Sequence, residues 1–163
     1  KDPIHEPFGE PEIRYDQLPS SFASSRPRAI QAEVGKKQLA RIEELNGARI
    51  RNGRWLDEHL AHLEEITLPS YPEGAEPIYM SFVIHHPKRD ALMIALRKRG
   101  VDTTVGYMND CSDHPLFPEF RRPCPATAQI KAQQLHLPVH PRMDQKDLDH
   151  LAESLRSSLK EVA

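Results

Sequence analysis

The alternation of apolar and polar residues in the middle of the chain predicts a strand, a helix and a second extended segment. Tyr79–Ile84 is a run rich in aromatic and β-branched residues, which suits a half-buried strand. Pro87 fits the first turn of a helix, and apolar residues then recur at spacings of three and four. Gly100 is placed to end that helix, and Val101–Val105 returns as a short extended segment.

Upstream of this unit, the apolar spacing predicts one long helix from Pro27 to about Leu63. Pro27 suits a first helical turn, and either of two preceding serines can act as its N-cap. An Asn-Gly pair often interrupts helices. Asn46-Gly47 is therefore the position at which this helix can kink.

Downstream of the unit, prolines and aspartates predict an irregular stretch over residues 108–125. A short helix is predicted over Ala126–Gln134, followed by a short strand, Leu135–Leu137. Asp144 is the expected N-cap of a last amphipathic helix that reaches Leu159. Helices on one side of a short, mostly antiparallel sheet make a two-layer α+β fold.

Three segments follow from this pattern: an extended arm over 1–26, a long linking helix region over 27–66 and a small α+β domain over 67–163. The arm contains four prolines and shows no helical or strand periodicity. Such a segment cannot order itself by burying apolar surface, so we expect it to lie across another surface or to be disordered. Because the chain opens in this way and with Lys1, it is expected to be part of a longer protein.

Composition narrows the classes of partner. The net charge of −2 gives no reason to expect nucleic acid or an anionic membrane as partner. The apolar fraction of 38% is low for a self-sufficient domain of 163 residues, which indicates reliance on contacts elsewhere. No apolar run approaches the length of a membrane span, and the two cysteines form no disulfide framework. We therefore expect a cytoplasmic protein.

Histidines raise the question of a metal site. His59 and His62 share one face of the predicted helix, which is compatible with zinc, but no motif fixes a third ligand. His85 and His86 are adjacent at the end of a strand, so their side chains point to opposite faces and cannot easily share a ligand. A solvated helix face and edge histidines are the favoured readings, and no metal is expected.

The residue types needed for a cysteine nucleophile site lie close together in sequence: Cys111 as the nucleophile, His114 as the base, and Asp110 and Asp113 as orienting groups. Proximity in sequence is poor evidence for such a site, because the fold usually brings catalytic partners together. A packed cysteine in an irregular loop is favoured. No glycine-rich phosphate loop, nucleophile elbow or metalloprotease motif is present, so the residues alone indicate no autonomous active site.

Four stretches in order resemble the C-terminal part of the DegT family of pyridoxal-phosphate-dependent sugar aminotransferases. Residues 24–35, SSRPRAIQAEVG, are similar to the family's Asn-Tyr-Arg-x-x-x-Ile-Gln-Ala-x-x-Gly, and residues 37–46 continue that helix. Residues 99–107, RGVDTTVGY, resemble its Gly-Ile-x-Thr…His-Tyr segment. The pair Cys124-Pro125-Ala126 and LHLPVHP, residues 135–141, is similar to its Cys-Pro-x-Ala…Leu-x-Leu-Pro-x-His-Pro ending.

The resemblance implies the small C-terminal domain of a fold-type I aminotransferase, with the arm a remnant of the large domain. The family's Schiff-base lysine lies upstream of the Asn-Tyr-Arg motif, and no lysine here matches it. Transamination needs that amine and an acid beside the pyridine nitrogen of the cofactor. No catalytic residue is therefore expected in this chain, which needs a missing N-terminal large domain or subunit.

By resemblance, three residues lie near the cofactor or substrate. Ser24 occupies the position of the family's asparagine, which reaches the cofactor phosphate of the neighbouring subunit, and a serine hydroxyl can still bond phosphate. Arg26 keeps the arginine, which can bind a substrate carboxylate or a phosphate oxygen. Tyr107 keeps the tyrosine of the His-Tyr pair, whereas Gly106 replaces the histidine and has no side chain to make its substrate contact.

The resulting hypothesis is a homodimeric aminotransferase that uses pyridoxal 5′-phosphate. It would transfer an amino group from an amino acid, glutamate in this hypothesis, to a nucleotide-linked keto-sugar. This chain alone is expected to be inactive. The alternative, from another class, is a non-catalytic binding or assembly domain derived from an aminotransferase small domain.

Overall fold

The structure is a computed structural model that describes residues 28–105 and 118–163. The chain divides into two units, residues 1–38 and 39–163. Helix α1, Ala29–Leu39, makes up most of the described part of the first unit. The Arg28 backbone N–H donates to Gln31 Oε1 at 2.7 Å at its start. None of the residues of α1 is buried, and Ile30 and Val34 are exposed.

The second unit opens with helix α2, Ile42–Leu60. The prediction of one helix from Pro27 to about Leu63 is wrong, because the described helix is interrupted at Ala40 and Arg41. Helix α2 continues without a break through Asn46-Gly47. A glycine in a helix costs about 1 kcal/mol, which the packing of the buried face of α2 offsets. The predicted division at residues 26 and 66 stays a prediction.

The remaining elements of the second unit form a small α+β fold, as predicted. Strand β1 pairs antiparallel with β2, with Phe82 opposite Leu137 and Ile84 opposite Leu135. Isolated bridges extend the pairing on both sides, from Thr67 to His85 and from Thr104 to His136. The bounds of these elements are β1 Phe82–His85, α3 Arg89–Lys98, α4 Pro125–Gln133, β2 Gln134–Leu137 and α5 Gln145–Val162. A short 3-10 helix covers Pro118–Phe120.

The core lies between one face of the sheet and helices α2, α3 and α5. Every second residue of β1 is buried, as expected for a strand with one face against a core. The largest fully buried side chains are contributed by all of these elements: Leu56, Leu60, Phe82, Ile84, Leu92, Leu96, Leu135, Leu137, Leu151 and Leu155. Burial of such side chains stabilises the fold by roughly 1.5–3 kcal/mol each.

Two helix caps predicted from the sequence, Gly100 at the end of α3 and Asp144 at the start of α5, are present in the structure. Gly100 has φ +78°, and the bonds from Gly100 N to Arg97 O and from Val101 N to Leu96 O close α3. Asp144 and Asp147 form a reciprocal capping box at the start of α5, with distances of 3.0 and 3.1 Å. Helix α3 begins at Arg89, two residues after the predicted Pro87.

Tyr79 departs from the prediction that Tyr79–Ile84 forms a strand. Its φ is +47°, a left-handed conformation that is uncommon for a residue other than glycine, and β1 begins only at Phe82. This conformation accompanies a buried Tyr79 ring that lies against Gly53 of α2. Its hydroxyl donates to Asp57 Oδ2 at 2.6 Å. Strain of about 1–2 kcal/mol at Tyr79 is thus offset by burial of an aromatic ring and by a charge-assisted hydrogen bond.

Gly53→Ala is expected to destabilise the fold, because an added Cβ would lie 2.3 Å from Cγ of Tyr79. The ring must shift, so the free energy of unfolding should fall by about 1–3 kcal/mol, as in other overpacked cores. Urea denaturation followed by circular dichroism measures the change.

The matched control is Gly47→Ala in the same helix, where the nearest atom to an added Cβ is Arg51 Nη1 at 3.7 Å. That variant should gain roughly 0.5–1 kcal/mol from higher helix propensity. Equal effects of the two substitutions would show that the ring does not need the glycine.

Candidate functional site

The three residues assigned to the site by resemblance, Ser24, Arg26 and Tyr107, lie outside the described residues. So do Cys111 and His114. The structure describes the chain on either side of them, from Arg28 onward and up to Val105. The described residues nearest to them in sequence are Arg28, Val105 and Pro118.

The segment that precedes Tyr107 is held against β2. Thr104 and His136 exchange both backbone hydrogen bonds, at 3.2 and 2.8 Å. The Gln134 side chain adds a third bond, from Nε2 to Val105 O at 3.2 Å. The predicted extended segment thus exists as a single bridge with one additional side-chain hydrogen bond, and these bonds hold Thr104 and Val105 beside β2.

The outer face of the sheet, opposite the core, carries polar residues. Ser81, His85 and His136 lie on this face, and Ser81 Oγ is 2.8 Å from His136 Nδ1. His136 Nε2 is buried and has no hydrogen-bond partner in the structure. Burial, followed by the charge of His85, lowers the pKa of His136 below its ordinary value. A neutral imidazole is favoured, which has one donor and one acceptor nitrogen.

The sequence analysis considered His85 and His86 as possible ligands but did not consider His136. His85 lies on the outer face, whereas His86 is buried and its Nδ1 accepts from the Lys88 backbone N–H at 3.1 Å. Burial lowers the pKa of His86. The alternation of the strand pattern around Leu135 and Leu137 was the signal that could have placed His136 on the outer face.

A second polar cluster joins the loop before β1 to helix α2. Asp57 is half-buried, and burial raises the pKa of its carboxyl, while the hydrogen bond from Tyr79 opposes that rise. The Tyr71 ring meets the Tyr79 ring edge-on, with centroids 5.9 Å apart. Burial and the bond to Asp57 raise the pKa of Tyr79, so its phenol stays protonated and acts as a donor. The cluster is suited to holding the loop before β1 against helix α2.

Of the two histidines considered for zinc, His59 has other contacts. His59 stacks on Trp55 with ring centroids 3.8 Å apart, and its Nδ1 lies 2.8 Å from the Trp55 carbonyl oxygen. Over residues 28–105 and 118–163, no group of three or more metal-ligating side chains is found. Cys124, at the start of α4, is a half-buried free thiol.

The described residues do not fit a pyridoxal phosphate site. A Schiff-base lysine must lie in a partly desolvated pocket, where its amine can lose a proton. Every lysine within the described ranges is exposed. Lys36 pairs with Glu33, Lys98 pairs with Glu161, and Lys88 donates to the carbonyl oxygens of Val162 and Ala163.

None of the described helices is both long and apolar enough to cross a membrane.

Curated proteins of similar sequence are considerably longer than this chain. It is 26% identical over 142 residues to dTDP-3-amino-3,4,6-trideoxy-alpha-D-glucose transaminase of Streptomyces venezuelae, with 85% of this chain and 38% of the relative covered. It is 27% identical over 135 residues to dTDP-4-dehydro-2,6-dideoxy-D-glucose 3-dehydratase of Saccharopolyspora spinosa, with 77% and 29% covered. The chain thus spans less than two-fifths of the length of each.

Solved structures share the fold over a similar portion. S. venezuelae DesV, in complex with a ketimine intermediate, matches with a TM-score of 0.74 and 25% identity, over 80% of this chain and 36% of that one. NtdA of Bacillus subtilis, with the bound cofactor PMP, matches with a TM-score of 0.71 and 25% identity, over 80% and 32%.

The family model for the DegT/DnrJ/EryC1/StrS aminotransferases matches residues 21–156. This range contains all four stretches on which the resemblance rests, together with the whole two-stranded sheet. The chain belongs to the DegT/DnrJ/EryC1/StrS aminotransferase family.

Proposed function

We propose that this chain is the C-terminal small domain of a pyridoxal-phosphate-dependent aminotransferase. The complete protein transfers an amino group from an amino acid, glutamate in this proposal, to a keto-sugar carried on a nucleotide. Membership of the family supports the reaction class. The relative named as a dTDP-aminosugar transaminase supports the class of substrate.

The observation that carries the proposal is the family match over residues 21–156, in a chain that spans only 38% of the dTDP-aminosugar transaminase. When bound, the cofactor supplies an electron sink for the amino group and its α-carbon. Every lysine within the described ranges is exposed, which supports our proposal that the anchoring amine lies in a region upstream of this chain. The relatives, which exceed this chain in length by a wide margin, have room for such a region. We therefore propose that this chain is inactive alone.

In this proposal Ser24 bonds the cofactor phosphate of the neighbouring subunit, so the working enzyme is a homodimer. Arg26 binds the carboxylate of the amino donor, since a guanidinium presents two parallel N–H groups to a carboxylate. Tyr107 contacts the sugar substrate. The described bonds at Thr104 and Val105 support this last assignment, because they anchor the chain two residues before Tyr107.

A second candidate function is dehydration of a nucleotide-linked keto-sugar. It is favoured by one relative, which is named as a 3-dehydratase. A dehydratase would remove a hydroxyl group from the sugar and would transfer no nitrogen to it. Mass spectrometry of the sugar product, with a ¹⁵N-labelled amino donor, separates the two reactions. The non-catalytic binding domain is separated from both by the absence of any turnover in the complete protein.

The chain alone is expected to form no specific adduct with pyridoxal phosphate. Exposed ammonium groups are strongly hydrated and lack a pocket that would hold the cofactor, so labelling should be scattered and far below one equivalent. Borohydride reduction followed by peptide mapping measures the labelling at each lysine. A stoichiometric adduct at one lysine of this chain would contradict the proposal, and the complete protein serves as the positive control.

In the complete protein, Arg26→Ala should raise KM for the amino donor by roughly tenfold or more, equivalent to about 1.4 kcal/mol of binding. The reason is loss of the guanidinium that binds the donor carboxylate. Steady-state kinetics with varied donor and saturating sugar measures the effect. Arg28→Ala, two residues along the same segment, is the matched control and should stay within about twofold of the parent. An unchanged kcat/KM for Arg26→Ala would assign Arg26 to structure.

A further inference from the structure

Two turns of the chain share one sequence pattern, a histidine followed by a proline and a basic residue. Residues 86–88 are His-Pro-Lys, and residues 140–142 are His-Pro-Arg. In each turn the histidine Nδ1 accepts from the backbone N–H of the basic residue, at 3.1 Å in both. Only an unprotonated Nδ1 can accept this bond, because both nitrogens of an imidazolium are donors.

The two turns differ in burial. His86 is 6% exposed, whereas His140 is an exposed residue. A charge on the buried ring would lose its hydration, whereas water can solvate a charge on the exposed one. Burial lowers the pKa of His86, and the charge of Lys88 acts in the same direction. In the turn at residues 86–88, both the bond and the burial therefore require a neutral ring.

The charges around this buried ring come from three parts of the chain. Lys88 and Arg89 lie at the start of α3, where the helix dipole is positive, and Arg89 pairs with Asp90 at 2.6 Å. Lys131 is the only charged residue of α4. Glu65, in the segment after α2, is the carboxylate that favours protonation of the ring. Because Glu65 is exposed, water screens its charge and it offsets little of the cost of burial.

The same turn holds the C-terminal end of α4. The His86 backbone N–H donates to Gln133 O at 3.0 Å, one step beyond the pairing of β1 with β2. Arg89 Nη1 donates to Lys131 O at 3.2 Å and to Gln134 O at 3.3 Å. No residue of α4 is buried, and a helix of nine residues is marginal by itself. Helix α4 therefore depends on these bonds at its end rather than on apolar packing.

We propose that His86 is an acid-sensitive switch, in which protonation of its ring opens the turn at residues 86–88 and frees the end of α4. A charged ring can neither accept from the Lys88 N–H nor stay buried without a partner, so it moves into water. The backbone bond to Gln133 O is lost with this movement. The switch involves none of the residues assigned to cofactor or substrate, and it needs neither cofactor nor turnover.

Linkage gives the sign of the pH dependence. The opened turn exposes the ring, which then protonates with the ordinary pKa of about 6.5. The closed turn holds the pKa of His86 lower, so protons favour the open form as the pH falls below about 6.5. The equilibrium constant for opening should rise by at most about tenfold per pH unit, until the ring of the closed form also protonates.

The test is amide hydrogen exchange of the 163-residue chain without cofactor at pH 7 and pH 5.5, corrected for the intrinsic rate at each pH. Peptides that cover α4 should lose protection by roughly threefold or more at the lower pH, while α2 stays more protected than α4 at both. In His86→Asn the side-chain oxygen can accept from the N–H two residues later but does not titrate. Protection of α4 in that variant should be nearly independent of pH.

His140→Asn is the matched control, because His140 accepts the same bond in an exposed turn. It should leave the pH dependence of α4 within about twofold of that in the unmodified chain. The proposal is overturned if the unmodified chain keeps full protection of α4 at pH 5.5, or if α4 and α2 lose protection together. It is also overturned if His86→Asn retains the pH dependence. The first two criteria use the unmodified chain, so they hold even if a variant fails to fold.

Discussion

The contact between the Tyr79 ring and Gly53 is the constraint on which much of the second unit depends. It joins the loop before β1 to the middle of α2, and it leaves no room for a side chain at residue 53. Tyr79 adopts a left-handed backbone conformation at this contact, and the following strand begins only at Phe82. Because Phe82 pairs with Leu137, the position of this junction also bears on the register of the sheet. A single close approach thus couples a helix, a loop and a strand pair.

The sequence predicted the elements whose signals are local. Gly100 and Asp144 end and begin helices as expected, and the α+β class was correct, because caps and periodicity are properties of short windows. The strand was predicted in the right part of the chain, but its expected start at Tyr79 was wrong, because burial of the Tyr79 ring against Gly53, 26 positions earlier, overrides local β-propensity. The helix break at Ala40 and Arg41 was missed, since neither residue favours a break by propensity.

Neither the local sequence patterns nor the described part of the structure locates the candidate site. Ser24, Arg26 and Tyr107 came from resemblance alone and lie outside the described residues, so their roles stay predictions. The strand pattern could have placed His136 on the outer face of the sheet, but it could not show that its Nε2 is buried without a hydrogen-bond partner. Such a feature depends on what is absent around a side chain and is visible only once the surroundings are known.

The two single-residue bridges at the margins of the sheet have a consequence for self-association. A two-stranded sheet has two open edges, and unpaired N–H and C=O groups along an edge invite pairing with strands of other molecules. Here Thr67 occupies part of one edge beside His85, and Thr104 occupies part of the other beside His136. In each bridge, a single threonine pairs with backbone groups that a strand from another molecule would need. At those two positions, a strand from another molecule would have to displace a backbone pairing that already exists.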